Sequence, residues 1–266
     1  MSLAARVLGV GLVGPGLPGW REARAALAGT VPYLRAPTVI PSPEQLPAIE
    51  RRRAGKCVRL ALGAGFAAAA DAGLAPKEMV AVFTSSTGDG ENQHAICEAL
   101  ASDDRLISPT RFHNSVHNAP AGYWGIATGA MAAADSIAAF NGSFTAGLLE
   151  AVGRVAAAPG SNVLLVSYDA PYPEPLFSKR PILDSCAVGL VLASVDSRAH
   201  GAGPTIAVET TREPETRLAD AGLESVRAGI PSARALPLLE RLARGEPGRV
   251  VLEYLGDLAL AVDVTP

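Results

Sequence analysis

The sequence has few residues that could build a disulfide framework or a zinc site. Only three cysteines occur in 266 residues, at Cys57, Cys97 and Cys186, and no two of them form a Cys-x-x-Cys pair. The four histidines form no metal-binding motif with them. This scarcity is typical of a protein from a reducing compartment, so we expect a cytoplasmic protein that uses no metal or other cofactor.

Long runs of one residue type are also missing. The formal net charge is −3 and the only basic run is Arg51–Arg53, which we interpret as a solvated helix face, so no nucleic-acid partner is expected. No apolar run reaches the roughly 20 residues that cross a bilayer, so no membrane span is expected. The apolar residues 1–20 are rich in glycine and proline and lack a convincing cleavage site, which favours a strand and loop over a secretion signal.

What the sequence does contain is an alternation of strand-like and helix-like segments. Apolar residues make up 48% of the chain, enough for a buried core. The pattern predicts strands over 6–13, 79–85, 135–140, 162–168, 187–194, 205–210, 249–255 and 258–264. It predicts helices over 20–28, 43–54, 57–72, 91–101, 143–157 and 235–243. Such alternation indicates an α/β layered fold with a mixed sheet flanked by helices.

Several local features refine this prediction. The helix over 57–72 is apolar nearly all round and rich in small residues, which is typical of a helix buried on several sides or at an interface. Ser42 before Pro43 predicts a capped helix start, and Gly256-Asp257 predicts a two-residue hairpin turn between the last two strands. The composition changes near 197–203, so we expect segments 1–196 and 197–266, the second ending in a β-hairpin.

Three motifs carry possible binding chemistry. The run Gly9–Gly14 matches Gly-x-Gly-x-x-Gly, but no helix follows at once and no acidic residue stands about 20 positions on, so we do not interpret it as a dinucleotide site. The turn Thr84–His94 could offer hydroxyl and backbone N–H groups to an anion, although it lacks the lysine of a phosphate loop. The segment 113–125, with two His and two Asn beside Tyr123 and Trp124, reads as a loop in which His117 could contact a ligand or partner.

The segment "DSIAAFNGSFTAGLLEA", which starts at Asp135, predicts a strand, a tight turn and a helix. A turn of this kind can display a nucleophile, yet Phe140 and Asn141 occupy it. A Ser-His-Asp triad can be assembled on paper from Ser143, His117 and Asp169, but the second glycine of a Gly-x-Ser-x-Gly elbow is missing. An acyltransferase or hydrolase using Ser143, Ser185 or Cys186 stays open as an alternative.

Taken together, five segments resemble the N-terminal half of β-ketoacyl synthases, which have the thiolase-like fold. In order they are "VFTSSTGDG", "RFHNSVHNAPAGYWGIATGA", "DSIAAFNGSFTAGLLEA", "NVLLVSYDAP" and "DSCAVGLVLAS". The likeness covers most of residues 7–194 and fades after Ser197 into an abbreviated tail. The chain is most similar to short family members that look like chain-length-factor subunits of aryl polyene and related polyketide-type clusters.

The resemblance implies that the catalytic residues of the family are missing here. The family carries its acyl-accepting Cys at the turn, and matching the turns puts Phe140 at that position, with Asn141 there if the match shifts by one residue. The family's two C-terminal histidines also lack counterparts, since His200 is the only His after Ser194 and Lys179 is the last lysine. Neither side chain of the turn can form a thioester, so we expect little or no catalysis by this chain.

We therefore expect a non-catalytic subunit that pairs with a full-length ketosynthase and receives substrates on an acyl carrier protein. Pairing into a homodimer is the alternative. Helix 57–72 and the strand over 135–140 are expected to carry apolar surface that a partner covers. Phe140 is expected to plug or floor an acyl pocket. The candidate tunnel or interface residues are His117, Asn118, Tyr123, Trp124, Phe140 and Asn141.

Overall fold

The computed structural model describes residues 3–196 and 203–266. In this part of the chain the strands are β1 (Leu3–Val13), β2 (Val80–Thr84), β3 (Ala134–Ile137), β4 (Val163–Asp169), β5 (Cys186–Ala193), β6 (Thr205–Thr211), β7 (Gly248–Leu255) and β8 (Leu258–Thr265). The helices are α1 (Trp20–Leu27), α2 (Ala48–Arg53), α3 (Lys56–Ala72), α4 (Gly90–Ala101), α5 (Pro109–His113), α6 (Ala119–Thr128), α7 (Ser143–Ala157), α8 (Leu176–Lys179), α9 (Ala221–Gly229) and α10 (Leu236–Arg244). Short 3₁₀ turns cover Pro76–Glu78, Phe140–Gly142 and Pro231–Ala235.

All eight strands belong to one mixed sheet in the order β3-β2-β4-β5-β1-β6-β8-β7. β2 pairs in parallel with both β3 and β4, and the other neighbours are antiparallel. The long strand β1 joins the two parts of the sheet, because its residues pair with β5 on one side and with β6 on the other. β3 and β7 therefore form the two edges.

One face of the sheet is covered by α3, which lies unusually close to β1 and β5. A Cβ added to Gly11 would come within 2.8 Å of the Ala68 nitrogen, and one on Gly189 within 2.5 Å of the Ala64 oxygen. Because both glycines lack a side chain, the backbone of α3 can approach the backbone of β1 and β5 directly. This close packing explains the Gly-x-Gly pattern in β1 without a bound nucleotide. The Asp71 carboxylate of α3 also accepts a hydrogen bond from the Val10 backbone N–H, beside the register shift in β1.

The opposite face of the sheet holds α7. α7 contacts strands from β3 at one edge to β7 at the other, and its first turn is bonded to β7 through the Thr145 hydroxyl, which donates to the Glu253 carbonyl at 2.6 Å. The free side of β7 is covered in part by Thr216, which exchanges two hydrogen bonds of 2.8 Å with the Val251 backbone. The buried apolar residues around α7, α9 and α10 form one large core.

Most of the predicted elements are confirmed, with several corrections. The helix expected over 43–54 forms only at Ala48–Arg53, so Ser42 and Pro43 do not start it, and the third strand ends at Ile137 because the chain turns at Phe140. The segment 113–125, predicted to be a loop, instead includes the last residue of α5 and the first seven residues of α6. The hairpin turn at Gly256-Asp257 is confirmed.

The prediction that helix 57–72 carries apolar surface for a partner is wrong. α3 packs on β1, β4, β5 and α6, and in its interior only Ala67 and Ala70 are well exposed, so little apolar area is left for a partner. The predicted segment boundary between residues 196 and 197 adjoins residues 197–202, which are outside the described part of the chain. His200 is one of these residues. On either side of that segment the chain contributes to the same sheet, since β6 pairs with β1.

Candidate functional site

The turn between β3 and α7, residues 138–143, is here called the Phe140 bend. Phe140 has φ +52°, a left-handed conformation that is uncommon for a residue with a bulky side chain. Ser143 fixes the bend: its hydroxyl donates to the Phe140 carbonyl at 2.8 Å and accepts from the Ala139 N–H at 3.0 Å. The Gly142 N–H donates to the Ala139 carbonyl at 2.9 Å. The chain therefore builds a tight strand–turn–helix corner of the kind that displays one side chain.

The side chain displayed at this corner is the Phe140 ring, which is 61% exposed. The Arg180 guanidinium lies over one ring face with its Cζ 3.4 Å from the ring centroid, and its Nη2 donates to the Asn141 Oδ1 at 3.1 Å. Within this chain Phe140 therefore does not plug a pocket, because one ring face is open to solvent. Phe140 could plug or floor an acyl pocket only if a second chain covered its ring.

The C-terminal segment supports the bend from behind. A Cβ on Gly142 would lie 2.9 Å from the Tyr254 carbonyl carbon and 3.1 Å from the Tyr254 Cα, and closer still to the carbonyl oxygen. Together with the bond from Thr145 to Glu253, this contact holds the start of α7 against β7. The position of the bend is thus set by residues from both ends of the sequence.

None of the serine and cysteine candidates has the surroundings of a nucleophile. Ser143 is fully buried and its hydroxyl is used in the bend. Ser185 is 4% exposed, and its neighbour Cys186 is fully buried, where burial raises the pKa of the thiol to about 12. A thiol with such a pKa stays protonated at neutral pH and reacts slowly. The alternative of a hydrolase or acyltransferase based on these residues is therefore not supported by the geometry.

The triad drawn from the sequence is not assembled. The Asp169 carboxylate is fully buried, its pKa is raised by that burial, and it accepts hydrogen bonds from the Ser86 N–H at 2.9 Å and the Ser86 hydroxyl at 2.6 Å. The His117 Nε2 lies 3.3 Å from the Ser85 carbonyl. The turn that was a candidate anion site thus points its serines inward to Asp169, which makes it a structural turn.

The remaining candidates of segment 113–125 separate into surface and core. Asn118 is exposed and precedes α6 without a side-chain capping bond. Tyr123 and Trp124 are each 1% exposed: the Tyr123 hydroxyl donates to Asn114, and the Trp124 ring packs on Phe66. Their assignment as tunnel or interface residues is corrected here, because both rings belong to the hydrophobic core of this chain.

The edge beside the Phe140 bend carries an unpaired strand, and the chain segment that leads to it is rich in exposed apolar side chains. Among the described residues no strand pairs with the outer side of β3. Residues between 100 and 140 also supply many of the exposed large apolar side chains: Leu100, Leu106, Phe112, Val116, Ile126, Met131 and Phe140. We call this set the apolar surface. An open strand edge and exposed large apolar side chains are both features that proteins commonly use to bind a partner.

A feature that sequence reasoning missed is a basic cavity of about 450 Å³ between α2, the start of α3 and α5. Its lining includes five cationic side chains, Arg52, Arg53, Lys56, Arg59 and Arg111, against two acidic ones, Asp89 and Glu91. The Arg51–Arg53 run, interpreted above as a solvated helix face, thus contributes two of its members to this cavity. The sequence signal for this cavity was the presence of Lys56 and Arg59 shortly after the Arg51–Arg53 run.

Two further observations limit the chemistry of the site. In residues 3–196 and 203–266, no group of three or more His, Cys, Asp or Glu side chains could hold a metal ion. Over the same residues, no helix combines the length and apolar character needed to cross a membrane.

The fold and the bend together define a protein of the ketosynthase class, and comparison with known families agrees. The sequence model of the β-ketoacyl synthase N-terminal domain matches residues 21–247, so this chain belongs to that family. The match reaches beyond Ser197, where the likeness was expected to fade. No curated protein sequence matches the chain.

Solved structures share the fold over nearly the whole chain. A chain of the ketosynthase (ApeO) in complex with its chain length factor (ApeC) from Xenorhabdus doucetiae is 24% identical with a TM-score of 0.71, covering 99% of this chain and 100% of that one. The ishigamide ketosynthase/chain length factor is 14% identical with a TM-score of 0.73, covering 98% of both chains. A chain of the AntDE:AntF complex, a type II polyketide synthase acyl-carrier protein with its ketosynthase, is 10% identical with a TM-score of 0.77, covering 100% of this chain and 99% of that one. At these identities the likeness establishes the thiolase-like ketosynthase fold.

Proposed function

We propose that this chain is a non-catalytic, chain-length-factor-type subunit that pairs with an active β-ketoacyl carrier-protein synthase in fatty-acid or polyketide-type biosynthesis, with an aryl polyene-like product. The carrying observation is the Phe140 bend, which keeps the strand–turn–helix form that displays a nucleophile but displays a phenyl ring. A phenyl ring can neither form a thioester nor transfer a proton. Removing a nucleophile alone costs on the order of 10³–10⁶ in rate, so the bend retains shape and lacks chemistry.

The apolar surface and the free edge of β3 support the pairing. A partner strand along β3 would satisfy the unpaired backbone groups of that edge, and the partner would cover the exposed apolar side chains at the same time. A stable subunit interface commonly buries about 2,000 Å² or more in total, which a surface of seven large apolar side chains and a strand edge can help to supply. A homodimer formed through the same surface is the alternative arrangement.

The basic cavity supports a carrier-protein partner. A carrier protein presents its acyl chain on a phosphopantetheine arm whose phosphate is anionic, and arginine side chains bind phosphate through paired hydrogen bonds. Among the described residues, neither Arg52 nor Arg111 forms an ion pair within 4 Å, although Arg111 acts electrostatically on Asp89, so their donors are available to such a ligand. We therefore assign the acyl carrier protein as the second partner.

The test is reconstitution with a full-length ketosynthase and an acyl carrier protein. After incubation with an acyl-carrier thioester, mass spectrometry should find the acyl adduct on the ketosynthase and none on this chain. Phe140→Ala and Phe140→Trp should change the length distribution of the products in the active complex. Leu34→Ala is the matched control, since Leu34 is exposed but lies outside the apolar surface.

Two results would contradict this proposal. A covalent acyl adduct on this chain, abolished by a Ser or Cys substitution, would show that the chain has its own catalysis. Product lengths that stay the same in both Phe140 variants, in a complex of normal activity and affinity, would remove the role of the bend in chain length.

A further inference from the structure

The Phe140 bend is contacted by Arg180, a residue that no sequence pattern indicated. Arg180 follows α8 and lies 40 positions after Phe140 in the chain. Its guanidinium nevertheless contacts both displayed residues of the bend. The Cζ lies 3.4 Å from the Phe140 ring centroid and the Nη2 donates to Asn141 at 3.1 Å.

The contact is that of a fixed group and not of a solvated surface arginine. The Arg180 Nη1 is shielded from solvent and has no acceptor in the described part of the chain. A shielded donor without a partner is unfavourable, so the side chain would leave this position unless the ring contact and the Asn141 bond outweighed that cost. A planar guanidinium can stack on a ring and donate in its own plane at once, which an ammonium group cannot do.

The ring needs such a contact because most of its surface is exposed. The backbone of Phe140 is left-handed and its side chain is 61% exposed. An aromatic side chain with one open face can exchange between staggered rotamers unless a neighbour favours one of them. Arg180 occupies one face and thereby leaves the opposite face pointing away from the chain.

We propose that Arg180 is a positioning residue for chain-length control: it fixes the Phe140 ring in the orientation that meets the acyl chain or the partner surface. This inference rests on the proposed function and deepens it. Arg180 itself does not contact the growing product. It acts through Phe140, so its effect must vanish when the ring is absent.

The first measurement uses the chain alone and does not depend on the partner. In a ¹⁵N-edited NMR spectrum, the Arg180 Nε–Hε signal should carry a ring-current shift, and this shift should disappear in Phe140→Leu. An Arg180 signal that is the same in both proteins would overturn the inference, because the stacked pair would not exist in solution.

The second measurement uses the reconstituted complex and compares Phe140→Ala, Arg180→Met and the double variant. Arg180→Met should change the product-length distribution in the same direction as Phe140→Ala, with less than a threefold change in the affinity of the complex. The double variant should equal Phe140→Ala. Lys179→Met, which removes a neighbouring exposed cation, should leave the distribution unchanged. Arg180→Lys retains the charge and should behave like Arg180→Met, which keeps the test available if the Met variant folds poorly.

The outcomes separate the two hypotheses. If Phe140→Ala changes the product lengths and neither Arg180 variant does, the inference fails while the proposed function stands. If the Arg180 effect persists undiminished in the Phe140→Ala background, Arg180 does not act through the ring and the inference also fails. If no variant changes the lengths, the proposed function fails and the inference fails with it.

Discussion

Adding one methyl group behind the Phe140 bend should destabilise the protein, although Gly142 has an ordinary backbone conformation. Its φ of −80° suits any residue, so Gly142→Ala introduces no backbone strain. The new Cβ would lie 2.9 Å from the Tyr254 carbonyl carbon and still nearer to its oxygen, whereas real Cβ contacts stay above 3.0 Å. The obstacle is backbone and cannot rotate away, so α7 and β7 must separate. Overpacking of this kind typically costs about 1–3 kcal/mol.

The matched control lies in the same helix. A Cβ on Gly153 would have no atom within 4 Å, so Gly153→Ala should stabilise the protein by about 1 kcal/mol through helix propensity. The two alanine variants should therefore differ by about 2–4 kcal/mol, on the order of 10²-fold in the unfolding equilibrium constant. Urea denaturation followed by circular dichroism measures the difference as a change in midpoint at constant slope.

A third variant separates the contact from a helix-capping effect. Serine is a better residue than glycine before a helix but also carries a Cβ, so Gly142→Ser should be destabilised like Gly142→Ala. If Gly142→Ala and Gly153→Ala have equal stability, or if Gly142→Ser is stabilised, β7 does not lie against the bend and the C-terminal segment does not support it.

Two further predictions concern other parts of the fold. Iodoacetamide at pH 8 should label only the exposed Cys97 in the folded protein and all three cysteines in urea, because burial raises the pKa of both Cys57 and Cys186. Labelling of Cys186 in the folded protein would contradict this prediction. Arg227 is 4% exposed, and its hydrogen bonds lower the pKa of Glu224. Glu224→Gln should therefore destabilise the folded protein at pH 7, and the loss should shrink as the pH falls through the lowered pKa of Glu224. If the unfolding free energies of wild type and variant differ by the same amount at every pH, the pairing is refuted.

The strands and the bend could be predicted because their signals are local. A strand buried on both faces, such as Val163–Asp169, reads as a continuous apolar run, and the strand–turn–helix order around Phe140 is visible in one short segment. Helix α6 was missed although its signals were present: Pro120 stands in its first turn and Gly129, with φ +70°, ends it. The density of His and Asn just before it drew the interpretation towards a loop.

Two other features could not be predicted because they depend on long-range packing. Small residues in α3 indicate that something approaches closely, but they do not say whether it is the chain's own strand or a partner. Here Gly11 and Gly189 on the strands supply the matching surface, so the approach is internal. The contact between Arg180 and Phe140 joins segments 40 residues apart, and no periodic pattern reports such a pair.

The arrangement of contacts shows that the form of the bend does not depend on the side chain it displays. Ser143 and Gly142 hold the turn through the backbone, the first by hydrogen bonds and the second by contact with Tyr254. The side chain at position 140 takes no part in these contacts and points outward, although its left-handed backbone is unfavourable for most residues other than glycine. The contacts that hold the turn therefore do not depend on which side chain stands at position 140. Under the proposed function, the turn is kept for the shape that it presents to a partner chain.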